Sequence, residues 1–153
     1  GSGHIHNVPI LAGYNADEVT LFYDDIQRPT VIVPSFPEGH DERLAYMQDV
    51  YGPEDAAKLI AAYGLADPET RVKGEEDMLG DDLFGVHMRY LAKSNVAQGE
   101  PTYLYHFTRV PPSPKQTLGA FQAREIFFDF NRHSQLAGLT DEDKVLTNDM
   151  GAY

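Results

Sequence analysis

The chain has 153 residues, enough for one ordinary domain with a real core, and carries 24 acidic against 12 basic residues for a net charge of −12. That balance, with no local Lys/Arg cluster to reverse it, argues against nucleic acid and anionic membrane surfaces as partners. There are no cysteines, which removes disulfides, thiolate metal sites and a cysteine nucleophile, and no apolar run approaches the roughly 18 residues that would span a bilayer. The first residues show no basic region followed by an apolar stretch, so no secretory signal is visible.

Val8 to Gly13 is a short apolar run closed by glycine, the pattern of a strand buried on both faces of a parallel sheet. Asn15 to Phe22 begins polar and turns apolar, which suits a loop at the strand's carboxyl end entering a helical turn. Asp24 to His40 holds three prolines and reads as an irregular excursion. From Asp41, Leu44, Met47 and Tyr51 recur at helical spacing. Pro53-Glu54-Asp55 then opens a second helix packed through Ala56, Leu59, Ile60 and Tyr63 and closed by Gly64. Asp67-Pro68-Glu69 starts a further short helical stretch.

Asp81 to Gln98 reads as one helix, with Phe84, Met88 and Leu91 on its packed side and Gly99 at its end. Pro101 to Phe107 alternates, placing Tyr103, Tyr105 and Phe107 on one strand face and Leu104 and His106 on the other. A proline-rich loop follows over Val110–Thr117, then a strand-like run over Ile126–Phe130. A last helix begins near Thr140 with three acids in its first turn and Leu146, Met150 and Tyr153 on its packed side. Strand, helices, strand, loop and helix make an α/β arrangement. Two strands are marginal alone, so the remaining strands are expected in sequence outside this chain.

An acid just past the carboxyl end of a buried strand stands where α/β sheets place catalytic groups. Glu18 and Asp17 both fit, although an isolated acid there is more often a helix cap or a solvated side chain. Four segments read together carry more. GYNADEVTLF (13–22) resembles the G-t-N-x-D-E-G-x-x-F segment of type-B carboxylesterases and cholinesterases. Residues 83–112 resemble that family's long helix, its G-x-P-v-Y-l-Y-x-F strand and the loop after it. LGAFQAREIFFDF (118–130) is similar to its G-A-x-H-x-x-E-I-x-x-x-F segment, and LTNDMGAY (146–153) to its terminal helix. The four stand in the family's order and spacing.

The resemblance implies part of an α/β-hydrolase fold, the last parallel strands with flanking helices, lacking the amino-terminal sheet. Residues 1–153 would be the carboxyl-side fragment of one such domain. It implies a Ser-His-Glu triad acting on carboxylic esters, in which the acid orients the imidazole that activates serine. The acid position falls on Glu18, with Asp17 a neighbour serving the loop. The histidine position falls on Gln122. A glutamine amide can hydrogen-bond a serine hydroxyl but cannot take its proton near neutral pH, and general-base help is worth about 10²–10⁴-fold. Three explanations stand: a non-catalytic homologue, such as the family's adhesion members; an introduced inactivating change; or rescue by another histidine, for which His133 is the nearest candidate. His106 and His87 read as packed histidines.

The nucleophile is also missing. Ser2, Ser35, Ser94, Ser113 and Ser134 are the serines, and none lies in a G-x-S-x-G elbow. His4 and His6 are too few for a closed metal site. Glu75-Glu76-Asp77 with Asp81-Asp82 lack the spacing of a calcium loop and read as a solvated acidic turn at a helix start. The expectation is therefore a fragment that is inactive alone, with no cofactor or metal. The intact parent would take a small ester substrate. The fragment itself would pair with the complementary amino-terminal portion or self-associate through uncovered Val8, Ile10, Tyr103 and Tyr105. Localisation is not legible.

Overall fold

A computed structural model describes residues 7–22, 37, 39–112, 117–130, 132 and 139–152. In chain order the elements are β1 (Ile10–Asn15), a 3-10 turn (Thr20–Phe22), α1 (His40–Tyr51), α2 (Pro53–Tyr63), α3 (Arg71–Gly80), a π-helical turn (Asp81–Gly85), α4 (Val86–Ala97), β2 (Thr102–Phe107), α5 (Ile126–Asp129) and α6 (Asp141–Met150). They form two compact units, Gly1–Glu18 with Gly80–Tyr153, and Val19–Leu79.

In the first unit β1 and β2 pair in parallel, from Ile10 opposite Thr102 to Asn15 opposite Phe107. The strand expected over Val8–Gly13 therefore lies two residues later. Gly13 does not stop it: a Cβ there would strike the Tyr105 ring, so the glycine makes room inside the sheet. The strand runs on through Tyr14 and Asn15, which are buried, with the Tyr14 hydroxyl accepting from Arg89 and the Asn15 side-chain NH₂ donating to the Phe121 carbonyl.

Helix α4 lies against this sheet and is tied to it by Asn95, whose amide donates to the Val8 carbonyl (3.1 Å) and to Thr102 Oγ1 (2.9 Å). Arg89 donates to the Tyr14 hydroxyl, covers its ring at 5.4 Å and pairs with Asp81 at 3.7 Å. The single helix expected over Asp81–Gln98 is instead a π turn followed by α4. Gly80 is already helical, so Asp81 starts nothing. The Val86 N–H reaches back to the Asp81 carbonyl, and the Asp81 carboxylate and Tyr14 ring crowd the bare Cα of Gly85. Gly99, with φ +86, ends α4 as expected.

Neither expected packed histidine is enclosed. His87 is exposed, and His106 stacks one ring face on Tyr14, centroids 4.6 Å apart, while the rest of it is exposed. Along β2 burial is graded, from Tyr103 at 65% exposed through half-buried Tyr105 to buried Phe107.

Phe107, Ala120 and Phe128 centre the core of this unit, with Leu139, Leu146 and Met150 packed around them and the two phenylalanine rings 5.2 Å apart. The run Ile126–Phe130 is helical over Ile126–Asp129, not strand-like. A strand would put Ile126, Phe128 and Phe130 on one face, but only Phe128 is buried. The backbone closes on itself instead, with Asp129 N–H on the Glu125 carbonyl at 2.9 Å and Phe130 N–H on Ile126 at 3.1 Å.

Helix α6 begins at Thr140 with a capping box: Thr140 Oγ1 accepts from the Asp143 N–H, and the Asp143 carboxylate accepts from the Thr140 N–H. Arg109, two residues past β2, donates to the same carboxylate at 2.5 Å.

The second unit packs α1, α2 and α3 around Met47, Ala56, Leu65 and Met78, with Leu59, Ile60 and Tyr63 alongside. Gly64 closes α2 in the left-handed region. The helix expected from Asp67 begins at Arg71, because Asp67–Glu69 form a turn held by the Asp67 side chain on the Glu69 N–H (2.9 Å). Gly74 lets α3 approach the Tyr63 carbonyl so closely that a Cβ would clash. Glu75 is not part of a solvated turn. It lies inside α3, buried, and pairs with Arg43 (3.3 Å) and Arg71 (3.7 Å). Most of the Asp24–His40 excursion, together with His4, His6, His133 and Tyr153, lies outside the described residues.

The Arg109 guanidinium beside Asp143, helped by the Thr140 donors, depresses its carboxyl to about 2. A depressed acid stabilises the fold above its unfolded value near 3.8 and loses that contribution as pH falls through the folded value. Asp143→Asn should therefore cost about 2 kcal/mol at pH 7. The penalty should shrink between pH 4 and pH 2, as read from urea unfolding at each pH.

Candidate active site

In a parallel ladder successive N–H groups point to opposite edges of the strand. The Ile10 and Ala16 N–H groups point to β2, onto the Pro101 and Phe107 carbonyls, so the Asn15 N–H faces away. Glu18 takes it: its Oε1 accepts that N–H at 2.7 Å, folding the turn back on the strand end. Glu18 is 6% exposed, and its Oε2 is buried without a hydrogen-bond partner.

Asp17 holds the facing loop. Its N–H donates to the Ala120 carbonyl (3.1 Å), its Oδ2 accepts the Ala120 N–H (2.7 Å), and its backbone bridges to Phe121. Gly119, at φ +68, has no room for a Cβ beside that carboxylate. The Asn15 amide, 2% exposed, donates to the Phe121 carbonyl at 2.9 Å and to Glu125 Oε2. Gln122 is half-buried in the turn between those two contacts, next to Ala123, which adopts a left-handed φ of +64. The fold thus brings the Asp17–Glu18 turn and the loop bearing Gln122 together, while the amide of Gln122 makes no bond to Glu18.

The site is acidic and poorly solvated. Burial, and secondarily the Glu125 charge, raise the Glu18 carboxyl against the opposing pull of the Asn15 N–H. Burial and Glu125 also raise Asp129. Burial and the charges of Glu125, Asp129 and Glu18 push the Tyr105 phenol up to about 12. Arg124 in the same loop is buried, its guanidinium lowered by desolvation against the attraction of Asp143, and its ring contact is with Phe121 at 5.2 Å. Among the described residues no group of three or more His, Cys, Asp or Glu could hold a metal. Ser94 lies on α4, and Ser2, Ser35, Ser113 and Ser134 fall outside the described residues.

A carboxylate with one oxygen pinned and the other shielded and unbonded can receive one N–H and hold its owner in a fixed orientation. Asn15 and Glu125, which frame this arrangement, are not singled out by the sequence reading. Both stand at lettered positions of the quoted segments, three residues from Glu18 and from Gln122 respectively, and that spacing was the available signal.

The model of the carboxylesterase family matches residues 1–153. The chain belongs to the carboxylesterase family. Eight chains of solved structures match it. One, a PNB esterase, is 26% identical with a TM-score of 0.61, and the match covers 94% of this chain and 27% of that one. This carboxylesterase-family chain therefore spans about a quarter of that structure's length, and its parallel strands and flanking helices are part of an α/β-hydrolase fold. No curated protein matches.

An acid whose folded value is raised favours the fold at low pH and works against it once ionised. Glu18→Gln keeps an acceptor for the Asn15 N–H while removing the charge. The variant should unfold at higher urea than the parent at pH 7, and the gap should close as pH falls below the ordinary glutamate value of 4.5. Equal midpoints at pH 7 would refute this.

Proposed function

We propose that this chain is the acid-bearing, carboxyl-side portion of a serine carboxylesterase-like hydrolase, with Glu18 at the triad acid position and Gln122 at the histidine position. The observation that carries this reading is the Glu18 carboxylate, pinned through one oxygen by Asn15, with its second oxygen buried and unbonded at the loop bearing residue 122. That is the geometry of a group that orients an imidazole. Family membership and the likeness to a PNB esterase support the reaction class, hydrolysis of a small carboxylic ester by the intact parent.

With Gln122 in place of a base and no serine in an elbow motif, the chain alone is inactive. The 153-residue chain should hydrolyse p-nitrophenyl acetate and butyrate no faster than buffer. A saturable rate abolished by a serine-directed reagent would overturn this.

Gln122 also favours a second reading, a cholinesterase-like binding or adhesion protein without turnover. Placing Gln122→His in a polypeptide that also carries the elbow separates the two: recovered turnover marks an enzyme disabled at one position, and continued silence marks a binding protein.

The apolar surface of the sheet supports a further proposal. Val8, Leu11 and Tyr103 are each at least half exposed, and Leu11 and Tyr103 are register partners on one face. Ile10 and Tyr105 are only partly covered. A face of this kind is covered in an α/β-hydrolase by elements packed on the sheet, from the complementary amino-terminal portion or, without it, by self-association. Light scattering on the chain at high concentration should give a mass above the monomer, and a clean monomer would refute it.

A further inference from the structure

Asn15 makes more contacts that shape the site than any residue named by the triad pattern. It is the last residue of β1, and its backbone N–H fixes Glu18 Oε1. Its side-chain NH₂ takes two acceptors on the opposite segment, the Phe121 carbonyl immediately before Gln122 and the Glu125 carboxylate three residues after it. Both of those groups accept, so the NH₂ end has to face them, and the amide oxygen is left buried without a donor. Turning the amide over would set its oxygen against two acceptors and leave its NH₂ without either of them, so the polarity of the tether is fixed. The arrangement gives up one hydrogen bond to tie two segments together.

We propose that Asn15 is the positioning residue of this site: through one backbone and two side-chain donors it sets the separation and orientation of the Glu18 carboxylate and the loop carrying residue 122. This rests on the reading of Glu18 as the triad acid. Asn15 touches no reacting atom in that reading. It acts through Glu18 on one side and through Phe121 and Glu125 on the other.

The test inverts the polarity of the tether at constant shape. Asn15→Asp is isosteric but turns the donor end into a carboxylate facing the Phe121 carbonyl and Glu125. Adding Glu125→Gln restores a donor, now on residue 125, and returns the net charge to that of the parent. Amide hydrogen exchange is followed by NMR at pH 7 on the full chain, at Ala120 and Asp17, whose N–H groups span the two segments. The Lys144 N–H, bonded to Thr140 in the cap of α6, serves as the control for global stability. In the same samples the amide proton of residue 15 reports the Glu18 titration.

Asn15→Asp should speed exchange at Ala120 and Asp17 about tenfold relative to Lys144 and raise the Glu18 midpoint. The double variant should bring exchange back to within about threefold of the parent, short of full recovery because the Phe121 carbonyl stays without its donor. Unchanged exchange in Asn15→Asp would mean a space-filling role and would overturn the proposal. So would a double variant as open as the single one, because the bond to residue 125 would then not be the tether. Esterase turnover plays no part in these readouts, so this inference and the functional reading can fail separately.

Discussion

Glu18 is a carboxylate taken out of water at the end of a strand, and the charges that act on it come from another acid, Glu125, not from a base. A buried charge is held only by hydrogen bonds or by a counter-charge. Here the holding falls to a single backbone N–H, that of Asn15. That N–H is available because β1 spends its alternate donors on β2 and, among the described residues, no strand pairs with its other edge. The site therefore depends on the pairing of β1 with β2, and that pairing depends on Gly13 giving space to Tyr105 and on Asn95 tying the segment just before β1 and the start of β2 to α4.

The acidic character of the neighbourhood follows from the same packing. Phe107 and Phe128 bring the end of β2 and the short helix α5 together, and α5 arrives with Glu125 and Asp129 at its ends. Burial, and after it the Glu125 charge, raises both Glu18 and Asp129, and the Tyr105 phenol is held firmly neutral among these acids. Farther out, Arg109, Asp143 and Thr140 clasp the exit of β2 to the start of α6 through charge-assisted bonds with the opposite sign of effect. One end of this unit thus gains stability when its carboxylate ionises, and the other loses it. Function is commonly kept where stability is conceded.

Elements set by local chemistry were legible in the sequence. The capping acids and helical spacing marked α1, α2 and α6, glycine marked the ends of α2 and α4, and alternation marked β2. What was misread depended on tertiary contacts. Gly13 looked like a strand end because its role, making room for a ring on a strand far along the chain, has no local signature. The π turn over Asp81–Gly85 arises where Tyr14 and Asp81 press on Gly85, and periodicity alone continues a helix through it. Ile126–Phe130 carries a strand's residue types, but the core accepts only Phe128 from it. Glu75 looked solvated because the arginine that meets it from another helix, Arg43, is 32 residues away. Of the site, the resemblance assigned roles to Glu18 and Gln122 through the order of the segments around them, whereas the contacts of Asn15 with Glu18, Phe121 and Glu125 appear only when both of its faces are seen at once.

The bond between Asn15 and Glu18 also acts on the sheet as a ruler. A strand joining β1 on the side away from β2 would use the N–H groups of Leu11 and Gly13, but the next one in the series, that of Asn15, is already taken by its own chain. Pairing on that side must end before the last residue of β1, whatever the incoming sequence. The carboxylate thereby closes one rung of the ladder on that edge and leaves the earlier rungs open.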